Sequence, residues 1–178
     1  MLIKASQIIH LPVKVLAEFD HNAALVKEII IDPKQLKVLG FLLFTGLFKP
    51  ELAIVFHDVR QITPQFLATS RDNNILPPKE IVRLNQAKKL GVKIFEQLVK
   101  TKSGKLLGRV EDYLIEKETG HIPKIYVRAD QIRMPLSSDL IIPRSAILKI
   151  TSTIIIVKDS VLEEKLKAKR RVLSPVGV

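Results

Sequence analysis

A chain that carries one pattern twice has few folds open to it, and this one repeats. Shifting the sequence by 79 residues lays Ile3-Lys4 over Val82-Arg83, Gln7 over Gln86, Leu11 over Leu90, and Val13-Lys14-Val15 over Val92-Lys93-Ile94. Further on, a shift of 88 lays Ile54 over Ile142, Val59 over Ile147, Ile62-Thr63 over Ile150-Thr151, and Phe66-Leu67 over Ile154-Ile155. The drift between the two shifts puts longer loops in the second copy, which surface loops tolerate at little thermodynamic cost. A period this long is too large for a solenoid and predicts two tandem domains. Units of roughly 75–80 residues each bury only about 60–65% of their unfolded surface, so the two are expected to pack on each other.

Within each copy, short β-branched runs alternate with turn chemistry. In the first, Val13 to Leu16, Val26 to Ile31, Val38 to Phe44, Leu52 to Phe56 and Phe66 to Ala68 read as strands. Asp20-His21-Asn22 and Asp32-Pro33-Lys34-Gln35 separate them, because Asp and Asn bond their own backbone and tolerate turn conformations. In the second, Ile81 to Leu84, Val92 to Val99, Leu106 to Glu116, Pro123 to Arg128, Leu140 to Pro143 and Ile154 to Val157 follow the same order. Closely spaced short strands of this kind describe a small barrel or sandwich. The expected division is 1–69 for the first unit, 70–80 for a linker ending in Pro77-Pro78, 81–158 for the second unit, and 159–178 for a basic tail. Ser160-Val161-Leu162-Glu163 has capping-box spacing and predicts a short C-terminal helix.

Composition narrows the class. An apolar content of 47% with 26% charged residues is globular. The absence of cysteine excludes disulfides and thiolate chemistry and fits a reducing cytoplasm. The N-terminal residues lack an apolar segment of secretory length, and the greasiest run, Gly40 to Phe48, falls short of a membrane span. A soluble, cytoplasmic protein is expected, with any membrane contact peripheral. The net charge of +11 is uneven: residues 1–78 hold eight Lys/Arg against seven Asp/Glu, residues 79–178 hold 21 against 11, so the net moves from +1 to +10. That asymmetry predicts an anionic partner engaged through the second half.

Copy two resembles the PRC-barrel domain, the family of the cytoplasmic domain of the photosynthetic reaction-centre H subunit and of the C-terminal domain of the ribosome maturation factor RimM. Gly104-Lys105-Leu106-Leu107-Gly108-Arg109-Val110-Glu111-Asp112 resembles the family's G-x-x-(I/L)-G-x-V-x-D strand. Glu118-Thr119-Gly120-His121-Ile122 resembles its hairpin, and Ile141-Ile142-Pro143-Arg144-Ser145-Ala146-Ile147 its lead into the closing strands. Copy one lacks the glycine turn and the Thr-Gly pair, and is matched mainly by register. The resemblance implies an all-β fold of two tandem small PRC-like β-barrels with a short C-terminal helix. It implies no catalytic residue, because the family shares no active site. It also raises two alternatives: a ribosome-associated, RNA-binding maturation factor, and a peripheral membrane-associated structural protein.

The residues themselves predict a non-catalytic binding or adaptor module, with no cofactor, metal or small-molecule substrate. No two of the four His stand at metal-ligand spacing. Neighbours such as His57-Asp58 point to opposite faces of a strand. Lys102-Ser103-Gly104-Lys105 lacks the rest of a phosphate loop and reads as a hairpin turn. Glu111-Asp112 reads as a solvated strand edge. The candidate anion-binding residues are Lys88, Lys89, Lys93, Lys100, Lys102, Lys105 and Arg109 around one hairpin, and Lys165, Lys167, Lys169, Arg170 and Arg171 on the tail. Aromatic residues are only 5%, so stacking platforms for bases are scarce. Leu47 and Phe48 extend an apolar strand into a turn. They are expected to fill the seam between the units or else to form a partner site.

Overall fold

The computed structural model describes residues 1–17, 22–129 and 140–163. Strand β1 (Leu2–Lys4) and a 3₁₀ turn (Ala5–Gln7) lead into β2 (Pro12–Val15), β3 (Asn22–Asp32), β4 (Lys37–Phe44) and β5 (Leu52–Val55). A 3₁₀ turn (Phe56–Asp58) precedes β6 (Val59–Ile62) and β7 (Leu67–Thr69), followed by β8 (Ile75–Leu76) and helix α1 (Val82–Leu90). The second series is β9 (Leu98–Thr101), β10 (Leu106–Glu116), β11 (Lys124–Ala129), β12 (Leu140–Pro143), a 3₁₀ turn (Arg144–Ala146), β13 (Ile147–Ile150) and β14 (Ile154–Val157). The fold is mainly β. Residues 160–163 are helical, and the rest of the expected C-terminal helix lies outside the described residues.

The strands form two sheets with one order. The first runs β6-β7-β2-β3-β4-β5-β8 and the second β13-β14-β9-β10-β11-β12, with β1 added beside β10. In both, the outermost pair joins through a parallel contact, β7 with β2 and β14 with β9. Even the ladder irregularities coincide: Val26/Glu28 and Val110/Asp112 flank matching bulges, as do Val59/Gln61 and Ile147/Lys149. In each copy a threonine, Thr63 or Thr151, donates its hydroxyl to the carbonyl three residues on. Each sheet must curl. Along the first path β5 lies five strand spacings from β6, about 24 Å if flat. Yet only the 3₁₀ turn Phe56–Asp58 separates them, a reach of about 14 Å at most.

The structure corrects the early part of the repeat. Val13 pairs with Leu67 as Val99 pairs with Ile155, so the shift there is 99 − 13 = 86 rather than 79. Across β3 and β4 it is 112 − 28 = 84, and from β5 onward it is 142 − 54 = 88, as read from the sequence. The connection between β9 and β10 is therefore shorter than its counterpart, and that between β11 and β12 longer. The segment Ile81 to Leu84 is not a strand. It leads into α1, whose last turn carries Lys88 and Lys89 near the negative end of the helix dipole. Gly91 ends the helix in the left-handed conformation (φ 64°), where glycine has no Cβ to strain. Val92 to Val99 is largely loop before β9.

Pairing does not follow a simple division of the chain. β1, at the start of the first half, joins β10 of the second sheet. Residues 75–76, in the expected linker, join β5 of the first sheet as β8, and α1 packs on β3 and β4. The segment ahead of each half therefore docks on the other half. Two ties repeat the exchange. Ser6 donates its hydroxyl to Asp112 Oδ2 (2.6 Å) and its N–H to Oδ1 (3.2 Å), while Lys93 pairs with Glu28 (3.2 Å), the residue matching Asp112. Asp112 is buried, not a solvated edge. At the centre, Lys37 bridges His121, with Val38 N–H donating to Gly120 O (2.8 Å) and Ile122 N–H to Leu36 O (2.9 Å). These residues match one another under the shift of 84 (121 − 37), as a local two-fold axis requires. One contiguous apolar cluster draws on both sheets, including Ile8, Phe41, Ile54, Tyr113, Ile125 and Ile155.

A smaller cluster holds α1, with Leu84 against Ile30, Leu42 and Ala53. Its edge is charged: Glu51 accepts from Lys27 (2.9 Å) and from Lys88 of α1. Burial pushes the Glu51 carboxyl up, but the hydrogen bonds and charges of Lys88 and Lys27 outweigh it and hold the group below the usual range. A carboxylate lowered by folding contributes stability that is complete above its unfolded value, about 4.3. That stability is lost as pH falls through the folded value. The melting temperature of wild type should thus fall more steeply below about pH 4 than that of Glu51→Gln. Parallel acid dependence of the two would show that this pair does not hold the helix.

Candidate anion-binding face

The second sheet places its cations by strand alternation. Along β9, Val99 and Thr101 face the core while Leu98 and Lys100 face outward. Leu98 lies opposite Arg109, Arg109 opposite Arg128, and Lys100 opposite Leu106. These residues, with Gly108 and Ala129, line an open groove of about 440 Å³. Gly108 permits its shape: φ is 148°, and a Cβ there would meet Arg128 O at 2.0 Å. Ile156 stands opposite both Lys100 and Lys149, so a further cation continues the same row. Leu98, Leu106, Ile154 and Ile156 are partly buried and supply the apolar floor between the charges.

Neighbouring groups orient these cations, and one of them, Arg128, meets a carboxylate. Arg109 donates to the Glu96 backbone carbonyl (2.9 Å), and Arg128 pairs loosely with the Glu96 carboxylate (3.5 Å), both side chains of that pair being more than half exposed. At the rim the hairpin holding Lys102 and Lys105 is tied down, as Ser103 donates its N–H (3.0 Å) and hydroxyl (2.6 Å) to Asp159. Those bonds from Ser103 hold the Asp159 carboxyl below its ordinary range. A face of this kind can accept oxyanions on fixed guanidinium and ammonium groups.

The structure divides the cations singled out in the sequence. Lys100 and Arg109 meet in the groove, with Lys102 and Lys105 on the adjoining hairpin. Lys88 and Lys93 instead pair with Glu51 and Glu28, joining the two halves. Lys89 sits in the last turn of α1. Lys165, Lys167, Lys169, Arg170 and Arg171 lie outside the described residues. The sequence reading missed Arg128 and Lys149, both on strands. Only the pairing of Arg128 with Arg109 and of Ile156 with Lys149 reveals them.

The equivalent face of the first sheet keeps one cation, Lys14 standing where Lys100 stands, but lacks the arginine pair. Leu25 stands where Arg109 stands and Phe44 where Arg128 stands, and both are about two-fifths exposed. Beyond Phe44, Leu47 and Phe48 project into solvent at 87% and 102% exposure, so they do not fill a seam between the halves. The loop is clamped beneath them, with Thr45 Oγ1 donating to Pro50 O (3.0 Å). The interface is filled instead by Ile3, Ala5, Leu36, Val38 and Ile122. Leu47→Asp should therefore change unfolding free energy by less than about 0.5 kcal/mol; a loss above 2 kcal/mol would put Leu47 back among the packed residues.

Comparison with protein-family models and with curated proteins gives no match. Among the described residues, no helix is long and apolar enough to cross a membrane.

Proposed function

We propose that the chain is a non-catalytic, cytoplasmic binding module of two PRC-barrel-like units, engaging a polyanion through the outer face of the second sheet. One observation carries the reading: two matched backbones bear Leu25 and Phe44 in one copy and Arg109 and Arg128 in the other. Lys100, Lys102, Lys105 and Lys149 extend the positive charge. With few aromatics to stack bases, an RNA or ribosomal surface would be met through phosphates rather than by sequence. Binding to labelled single-stranded RNA should weaken with salt at a log–log slope of about −3 to −4 if five cations engage phosphates. Replacing Lys100, Lys102 and Lys105 with Ser should flatten that slope by about two units. Salt-insensitive binding, or none at low salt, would remove the proposal.

A second reading, peripheral contact with an anionic membrane, is favoured by exposed Leu47 and Phe48 beside Lys49. Vesicles with and without anionic lipid, tested beside RNA, separate the two. Under this reading Phe48→Ser weakens vesicle binding while leaving RNA binding intact.

A further inference from the structure

A second cleft, of about 510 Å³, opens where the two halves and α1 meet. Its floor is apolar. Phe56, Val59, Val55 and Ile81 are only partly covered, and they belong to the margins of the main core and of the smaller cluster under α1. Phe56 lies against Gly120, where a Cβ would come within 3.0 Å of the ring, so the second half shapes the wall. The rim carries nitrogen. Lys37, His57, Arg83, Lys117 and His121 line the opening, drawn from β4, the turn after β5, α1 and the turn following β10.

Acid on this rim is scarce and already engaged. Glu118 is the one lining carboxylate among the described residues, and both of its oxygens accept from the Met1 ammonium, at 2.6 and 2.7 Å. Arg83 pairs only loosely with Asp32, at 3.9 Å and beyond hydrogen-bond length, and is mostly exposed. Lys117 donates to the Ile62 carbonyl (2.6 Å), which leaves its charge unneutralised. His121 Nδ1 stands 3.1 Å from Thr119 Oγ1, and its ring is held at the cleft edge. An apolar floor with a few convergent polar groups is the usual make-up of a small-molecule site.

We infer that this junction cleft binds a small amphipathic anion, with an apolar body on Phe56, Val59 and Ile81 and a terminal carboxylate, sulfonate or phosphate at Arg83, His57 and Lys37. The site differs from the groove on β9–β11 in position and in ligand: the groove suits an extended polyanion, the cleft a single apolar-bodied molecule. It runs against the sequence-based expectation of no small ligand. Because the cleft exists only in the folded chain, its occupant would also raise the melting temperature by mass action.

The test uses the full chain and 8-anilinonaphthalene-1-sulfonate, an aromatic sulfonate whose fluorescence rises on binding, beside uncharged N-phenyl-1-naphthylamine. Saturable one-to-one binding of the sulfonate is expected, with amide shifts at Leu84, Phe56 and Gly120. Arg83→Ser with His57→Ala, both at exposed positions, should weaken the sulfonate about tenfold while changing the uncharged probe less than about twofold. Equal sulfonate affinity in that variant, no saturable binding, or shifts confined to Arg109 and Arg128 would each overturn the assignment.

Discussion

Gly40→Val is expected to be the most destabilising single change in the first half, costing about 3 kcal/mol or more. A Cβ at this position would lie 2.3 Å from Ile54 O, 2.7 Å from Leu84 Cδ1 and 3.0 Å from Val55 Cα. Two of those atoms are backbone of β5 and cannot rotate away, so the strand must shift. The third is the side chain through which α1 docks. For a chain of this size, 3 kcal/mol corresponds to a fall in melting temperature of roughly 6–12 °C. Leu84→Ala alone should cost about 2–4 kcal/mol by leaving a cavity under the helix. Placing Gly40→Val on that background relieves the contact with Leu84 and not the one with Ile54. The double variant should therefore melt below Leu84→Ala. A Gly40→Val protein that melts like wild type would mean that β5 and Leu84 do not close on Gly40 in this way.

Asp112→Ala carries the second large effect, about 2–3 kcal/mol. Asp112 Oδ1 accepts from Tyr113 N–H (2.8 Å) as well as from Ser6 N–H, and Oδ2 accepts the Ser6 hydroxyl. Removing the carboxylate leaves the buried Tyr113 N–H without its acceptor and frees the exposed Ser6 from its tie, and hydrogen bonds to a charged group are the stronger kind. It also loosens the arm that brings Ile3 and Ala5 into the core. A cycle with Ser6→Ala should show coupling of about 1 kcal/mol. The matching change on the other side, Glu28→Ala, should cost less than about 1 kcal/mol, because its partner Lys93 is mostly exposed. Equal costs at Asp112 and Glu28 would show that the first arm is no better held than the second.

The strands were legible wherever β-branched runs stood between clear turns. β3, β4, β10, β11, β12 and β14 follow the runs read from Val26, Val38, Leu106, Pro123, Leu140 and Ile154. The all-β class followed from that alternation. The helix was obscured by Ile81-Val82-Arg83-Leu84, which is β-like in composition, although Lys88-Lys89-Leu90-Gly91 carries the marks of a helix end. The 79-residue shift matched one short apolar run to another, and such runs recur by chance. Bulges and pairing, which fix register, leave no mark in a single sequence. The crossed arms were out of reach for the same reason: Leu2–Lys4 reads as a strand, and nothing local names β10 as its neighbour. On the candidate face, clustering in sequence found Lys100 and Arg109. Arg128 lies nineteen positions beyond Arg109 (128 − 109) and is brought beside it only by the antiparallel ladder. Leu47 and Phe48 looked like filling because apolar residues usually are, but the hairpin carries them past the end of the sheet.

The contrast between the two faces supplies its own test. Arg109→Leu with Arg128→Phe installs at the second face the residues that the first face already carries at matched positions, Leu25 and Phe44. The first sheet carries those side chains at the matched ladder positions, so the melting temperature should stay close to wild type. The decisive measurement is the salt dependence of single-stranded RNA binding by this variant beside wild type. Loss of two phosphate contacts should flatten the log–log slope by about 1.4 units and weaken binding at low salt. An unchanged slope and affinity in a folded variant would contradict the account, placing the partner surface away from the outer face of β9, β10 and β11.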